Sequence, residues 1–286
     1  MKSVRAFLDL IKFEHTIFAL PFAYLGMLLA AGGWPGWWKF LWITVAMAAA
    51  RTLAMAINRL ADQWWDARNP RTDRRPLVTG KITPRTAWAG TVLAAAVLVL
   101  AAWMLGPLPL RLLPAAAVFL LGYSFTKRFT ILSHFILGFT DGLAPVGAWV
   151  AVRGSLFTFA DLPAWILLAT VTLWIGGFDL IYACQDLEFD RRYQLHAIPA
   201  RYGATFALRL SGACHALTVV LLAALGVVME LGWPYWLAVA VTVGLLAWEH
   251  TLVHPDDLSK IDLAFFNINS YISMALFLGT LAALLL

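Results

Sequence analysis

Two pairs of aspartates have the types and spacing to do chemistry. Asp62 and Asp66 close the run Asn58-Arg-Leu-Ala-Asp-Gln-Trp-Trp-Asp, and Asp186 and Asp190 close Asp179-Leu-Ile-Tyr182-Ala-Cys-Gln-Asp-Leu-Glu-Phe-Asp. An i,i+4 spacing sends both carboxylates of a pair from one helix face. Each pair ends a long apolar run, in a chain with only 16 acidic residues. Four carboxylates brought together repel one another unless cations neutralise them. Mg²⁺ suits such a site, because it takes one or two carboxylates and completes its shell with water and phosphate oxygens. Asn58, one turn before Asp62, adds a neutral oxygen to the candidate metal ligands. Two pairs flanking a diphosphate through Mg²⁺ would make that diphosphate a good leaving group.

Basic residues lie where such an anion needs them. Tyr123, Lys127 and Arg128 end a further apolar run, with Tyr123 and Lys127 again four apart. Arg68, Arg71, Arg74 and Arg75 crowd the segment after Asp66, and Arg68 and Arg75 are taken as its diphosphate contacts. Asp179 and Tyr182 precede the second pair on the same spacing and join the candidate substrate contacts. Arg51 stands seven residues before Asn58, about two helical turns deeper. An arginine inside an apolar run needs a cavity and a partner. That partner is either a small carboxylate-bearing substrate or a buried acid such as Glu230 or Glu249. His134, His196, His215, His250 and His254 form no metal-ligand spacing.

The elements that position these residues are membrane helices. The chain is 62% hydrophobic and 13% charged, with a mean hydropathy of +0.78, about half the charge of a soluble domain. Nine apolar runs are long enough to span a bilayer: 13–33, 38–61, 84–105, 108–124, 132–152, 163–185, 204–229, 232–250 and 264–286. The expected fold is all-α, one domain over 1–286, with nine transmembrane helices around a central cavity. With the N-terminus cytoplasmic, 17 of the 21 Lys and Arg fall in inside segments, leaving Lys39, Arg111 and Arg153 outside and Arg51 within a span. That bias places both acidic pairs on the cytoplasmic face. The longest inside segments, 62–83 and 186–203, carry prolines and glycines that suggest caps or short surface helices over a cavity. The net charge of +5 is met by anionic lipid and substrate, without nucleic acid. Cys184 and Cys214 suggest neither a disulfide framework nor a metal site.

The chain resembles the intramembrane aromatic prenyltransferases of the UbiA superfamily. Asn58, Asp62 and Asp66 match the family's Asn-x-x-x-Asp-x-x-x-Asp motif. Asp186 and Asp190 match its second Asp-x-x-x-Asp, with Asp179 and Tyr182 also present. Tyr123-Ser-Phe-Thr-Lys127-Arg128 is similar to its Tyr-x-x-x-Lys-Arg signature, and Arg71-Thr72 through Arg75-Pro76-Leu77 and Gly80 to the loop after the first motif. The resemblance implies a Mg²⁺-dependent enzyme of a bacterial or archaeal cytoplasmic membrane. Its polyprenyl diphosphate would ionise at the metal site and alkylate a hydroxy-aromatic carboxylic acid in ubiquinone or menaquinone biosynthesis. An arginine at the place of Arg51 is assigned to the acceptor's carboxylate in the 4-hydroxybenzoate branch. Arg59, where ubiquinone-type members often have Asp, together with 67–72, is closer to members assigned to the futalosine route, whose acceptor would be a dihydroxynaphthoate. The alternative class is a cation-coupled transporter, which would place its acids near the bilayer midplane on interrupted helices. A lipid-headgroup phosphotransferase would need an Asp-Gly…Ala-Arg signature that is missing here.

Overall fold

The structure is a computed structural model that describes residues 2–11, 13–261 and 267–286, without the side chains of 2–5 and 13–19. All regular secondary structure among the described residues is helical, in the order α1 (Lys2–Ile11), α2 (Phe13–Ala31), α3 (Trp37–Asp66), α4 (Pro84–Leu105), α5 (Pro107–Thr126), α6 (Ser133–Arg153), α7 (Leu162–Ala183), α8 (Leu187–Arg192), α9 (Ile198–Tyr202), α10 (Ala204–Val228), α11 (Trp233–Leu252) and α12 (Asn269–Leu285). Each of the nine apolar runs falls on one of these helices; residues 264–266 of the last lie outside the described residues. Seven described segments are long and apolar enough to cross a membrane, and α2 and α12 offer shorter apolar stretches.

Local chemistry sets the boundaries. Thr83 caps α4 by accepting the Thr86 amide at 3.2 Å, and Pro84 sits in the first turn where its missing N–H costs nothing. Gly106, at φ 131°, divides α4 from α5 in a conformation that a side chain would resist. Proline begins α5 on its far side.

Bilayer, rather than water, is the solvent for these helices. In α5 the buried residues are Ser124 and Thr126, while Val118 and Leu121 face outward. Exposed Trp34, Trp37, Trp38, Phe157, Phe159 and Trp233 gather at one end of the bundle, as expected of an aromatic belt at a membrane interface. The core is drawn together where small residues let backbones meet. A Cβ on Gly138 of α6 would lie 2.3 Å from the Thr172 carbonyl of α7, and one on Gly26 of α2 would lie 2.2 Å from the Pro145 carbonyl of α6. Around these contacts pack Trp149, Leu167, Val171, Trp174, Leu222 and Leu225.

Candidate active site

α3 runs for 30 residues, about 45 Å at 1.5 Å per residue. It therefore carries Asn58, Asp62 and Asp66 at its far end without interruption. The chain beyond it does not leave the site. Thr72 Oγ1 donates to the Asp66 carbonyl at 3.1 Å, and the Asn69 side-chain oxygen accepts the Arg71 amide at 3.0 Å. Asn69 and Thr72 are buried, and this fold-back holds Arg71 and Arg75 above the acids.

The second pair is built differently from the expectation of one helix face. α7 stops at Ala183, a 3₁₀ turn occupies Cys184–Asp186, and Asp190 belongs to the separate short helix α8. A 3₁₀ turn winds more tightly than an α-turn. Asp186 and Asp190 thus sit on different elements, and they meet Arg71 and Lys127 respectively.

Each of the four carboxylates is matched by one basic side chain. Arg128 Nη2 lies 3.2 Å from Asp62, Arg75 Nη1 2.5 Å from Asp66, and Lys127 Nζ 2.7 Å from Asp190. Arg71 grips Asp186 as a fork, through Nε at 3.0 Å and through a short contact from Nη2, and its Nη1 donates to the Tyr182 hydroxyl at 2.7 Å. Consecutive residues Lys127 and Arg128 thus join one acid of each pair, and the loop arginines Arg71 and Arg75 do the same. The two motifs converge on one polar centre. Asn69 adds a 2.8 Å hydrogen bond to Asp186. Burial works against the Arg71 charge, but the hydrogen bond and charge of Asp186 outweigh it and raise its pKa.

Asn58 donates to Asp62 at 3.1 Å and accepts from Arg59 at 3.2 Å. The Tyr123 hydroxyl donates to the Ala54 carbonyl at 3.2 Å, between the acids and Arg51. Asp179 stands 2.6 Å from Nδ1 of buried His134, whose Nε2 accepts the Ile198 amide at 3.3 Å. That imidazole ties α6, α7 and α9 together. Aromatic residues from the two motifs also meet over the rim. Tyr193 lies 5.7 Å from Trp65 and 4.6 Å from Phe189, centroid to centroid.

Arg51 opens onto a cavity of about 350 Å³ between α3, α4, α5 and α6. Its partner is Asp141 of α6 at 3.4 Å, neither Glu230 nor Glu249. Glu249 is held elsewhere, by Asn269 at 3.3 Å, and Glu230 follows α10 at φ 49°. Arg68 turns outward, donating to the Trp64 carbonyl and stacking 3.7 Å over that indole. Its expected place at the acids is taken by Arg71. Asp141 left a readable trace, a lone acid in an apolar run. Asn69 and His134 left none, since their roles arise from long-range contacts.

The donor set fits Mg²⁺. All the candidate ligands are hard oxygens. The buried Asp190 keeps an Oδ1 that meets no hydrogen-bond donor.

The resemblance to the UbiA superfamily holds when the chain is compared with known proteins. The model of the UbiA prenyltransferase family matches residues 19–271. The 4-hydroxybenzoate octaprenyltransferase of Cupriavidus necator is 34% identical over 263 residues, covering 90% of this chain and 88% of that protein. The one from Cupriavidus pinatubonensis is 33% identical over 260 residues, covering 89% and 87%. A UbiA homolog from Aeropyrum pernix K1, solved in its apo form, superposes with a TM-score of 0.86 at 33% identity, over 94% of this chain and 98% of that one. A UbiA homolog from Archaeoglobus fulgidus, bound to DMAPP and Mg²⁺, shares the fold with a TM-score of 0.66 at 19% identity, over 94% and 98%. The chain is an integral membrane protein and belongs to the UbiA prenyltransferase family.

Proposed function

We propose that this aromatic prenyltransferase transfers a polyprenyl group from polyprenyl diphosphate to a hydroxy-aromatic carboxylic acid, 4-hydroxybenzoate or a dihydroxynaphthoate. The observation that carries the reading is the pairing of four carboxylates, two from α3 and two from the 3₁₀ turn and short helix α8 that follow α7, with four basic side chains. Such a centre holds an anion and its cations by exchange: a diphosphate takes the basic groups, and the carboxylates they release are left for metal.

Asp62, Asp66, Asp186 and Asp190, with Asn58 beside them, would hold Mg²⁺, which supplies the positive charge that lets diphosphate depart. Arg71, Arg75, Lys127 and Arg128 turn from the carboxylates to the diphosphate oxygens and take up the charge that develops as the allylic C–O bond breaks. Arg51 lies below them and receives the acceptor's carboxylate, which directs the ring upward to the reacting carbon. The acceptor's hydroxyl activates its ortho position, so the ring needs no strong base before attack, and its displaced proton passes to a carboxylate or water. Tyr182 and Asp179 act on the site through Arg71 and His134, and Tyr123 walls the space above Arg51.

The Lys/Arg bias supports an active site and N-terminus on the cytoplasmic side, with the prenyl tail drawn from membrane lipid. The relatives' names favour 4-hydroxybenzoate as the acceptor.

The test is to incubate the purified protein with Mg²⁺, a labelled polyprenyl diphosphate and each acceptor in turn. Prenylated aromatic is expected from at least one acceptor. Absence of product from both, with the diphosphate intact, would sink the proposal.

A further inference from the structure

Arg51 and Asp141 are the only charged residues among those that line the apolar cavity in the described structure. They face each other across it from α3 and α6, each side chain partly accessible from the cavity. The contact is single and long, Nη1 to Oδ1 at 3.4 Å. The guanidinium presents a second edge, formed by Nε and Nη2, that matches the two oxygens of a carboxylate. On that edge Nε is buried and meets no hydrogen-bond partner. Asp141 therefore holds one side of Arg51 and leaves the carboxylate-matching side without a partner at Nε.

We infer that Asp141 is a specificity-determining residue, a resident counter-ion that tunes how tightly Arg51 holds the acceptor's carboxylate. This rests on the reading of Arg51 as the acceptor site. An empty Arg51 inside the membrane needs a neutralising charge, and Asp141 supplies it. Once the acceptor is seated, the same charge stands beside a second carboxylate and repels it. The repulsion weakens acceptor binding and equally weakens binding of the product, which keeps its carboxylate after prenylation. Asp141 trades affinity for release.

Asp141→Asn leaves an oxygen to accept from Nη1 and removes the charge. The KM for a carboxylate acceptor should fall about 3- to 10-fold, and the product's inhibition constant should fall with it. The KM for polyprenyl diphosphate should stay put, and the acceptor's methyl ester should show no gain as substrate or inhibitor. Asp141→Glu keeps the charge and extends its reach toward Arg51, so it should raise the acceptor KM, and it provides the test if the Asn variant does not fold. Arg51→Ala separates the two claims. If it leaves carboxylate affinity unchanged, the acceptor-site reading falls and this inference falls with it. If it weakens carboxylate but not ester binding, while Asp141→Asn fails to tighten carboxylate binding or Asp141→Glu fails to weaken it, the inference about Asp141 alone is overturned.

Discussion

Arg71→Ala should move two binding constants in opposite directions. In the ligand-free centre Asp186 receives Arg71 Nε and Nη2 and the Asn69 amide. Hydrogen bonds to charged groups contribute about 1.5–3 kcal/mol each. The side chains are 29% and 10% exposed, and Asn69 and water can still serve Asp186 after the loss. The low end, about 1.5 kcal/mol for the whole fork, is therefore the working figure. Without diphosphate, a divalent cation no longer competes with Arg71 for Asp186, so its affinity should rise about tenfold. With diphosphate the sign reverses, because one of four cations that hold the anion is gone, and the donor KM should rise by about the same factor. Arg71→Lys keeps the charge without the fork and should fall between. Calorimetric titration with Mg²⁺ or Mn²⁺ in detergent reads the first constant, and steady-state kinetics reads the second. Weaker metal binding by the Ala variant in the absence of diphosphate, or an unchanged donor KM, would refute the exchange of partners.

Two further predictions concern the frame around the centre. His134→Ala strands Asp179 and the Ile198 amide together, and should cost about 2–3 kcal/mol, seen as a lower thermal midpoint; an unchanged midpoint would show that the clasp between α6, α7 and α9 is idle. Gly138→Ala forces a methyl against the Thr172 carbonyl and should destabilise by about 1–3 kcal/mol, whereas Gly122→Ala, with nothing within 4 Å of its Cβ, should be neutral. Equal melting of these two glycine variants would contradict the close approach of α6 to α7.

Much of this architecture is legible in the sequence because a bilayer makes helices out of apolar runs. The nine runs fall on helices, and one boundary difference is instructive. The second apolar run ends at 61, but α3 continues to Asp66, since the polar residues of its last turns find partners in the folded site. The acidic pairs and the Lys127-Arg128 signature are equally visible, because their spacing is local. What the spacing misleads on is the second pair, where a 3₁₀ turn at Cys184–Asp186 breaks the helix. Which loop arginine reaches the acids is also hidden. Arg68 follows its own helix end and stacks on Trp64, while the turn fixed by Asn69 and Thr72 delivers Arg71. Asp141 pairs with Arg51 across 90 residues, a relation that no local pattern encodes.

In the proposed mechanism the two acidic pairs jointly hold a diphosphate through divalent metal. The most direct test is titration of pyrophosphate into the purified protein, with and without Mg²⁺, for wild type, Asp62→Asn and Asp186→Asn. Mg²⁺-dependent binding that either single substitution abolishes is the expected result. Pyrophosphate binding that needs no divalent metal, or that survives the loss of one pair undiminished, would contradict it.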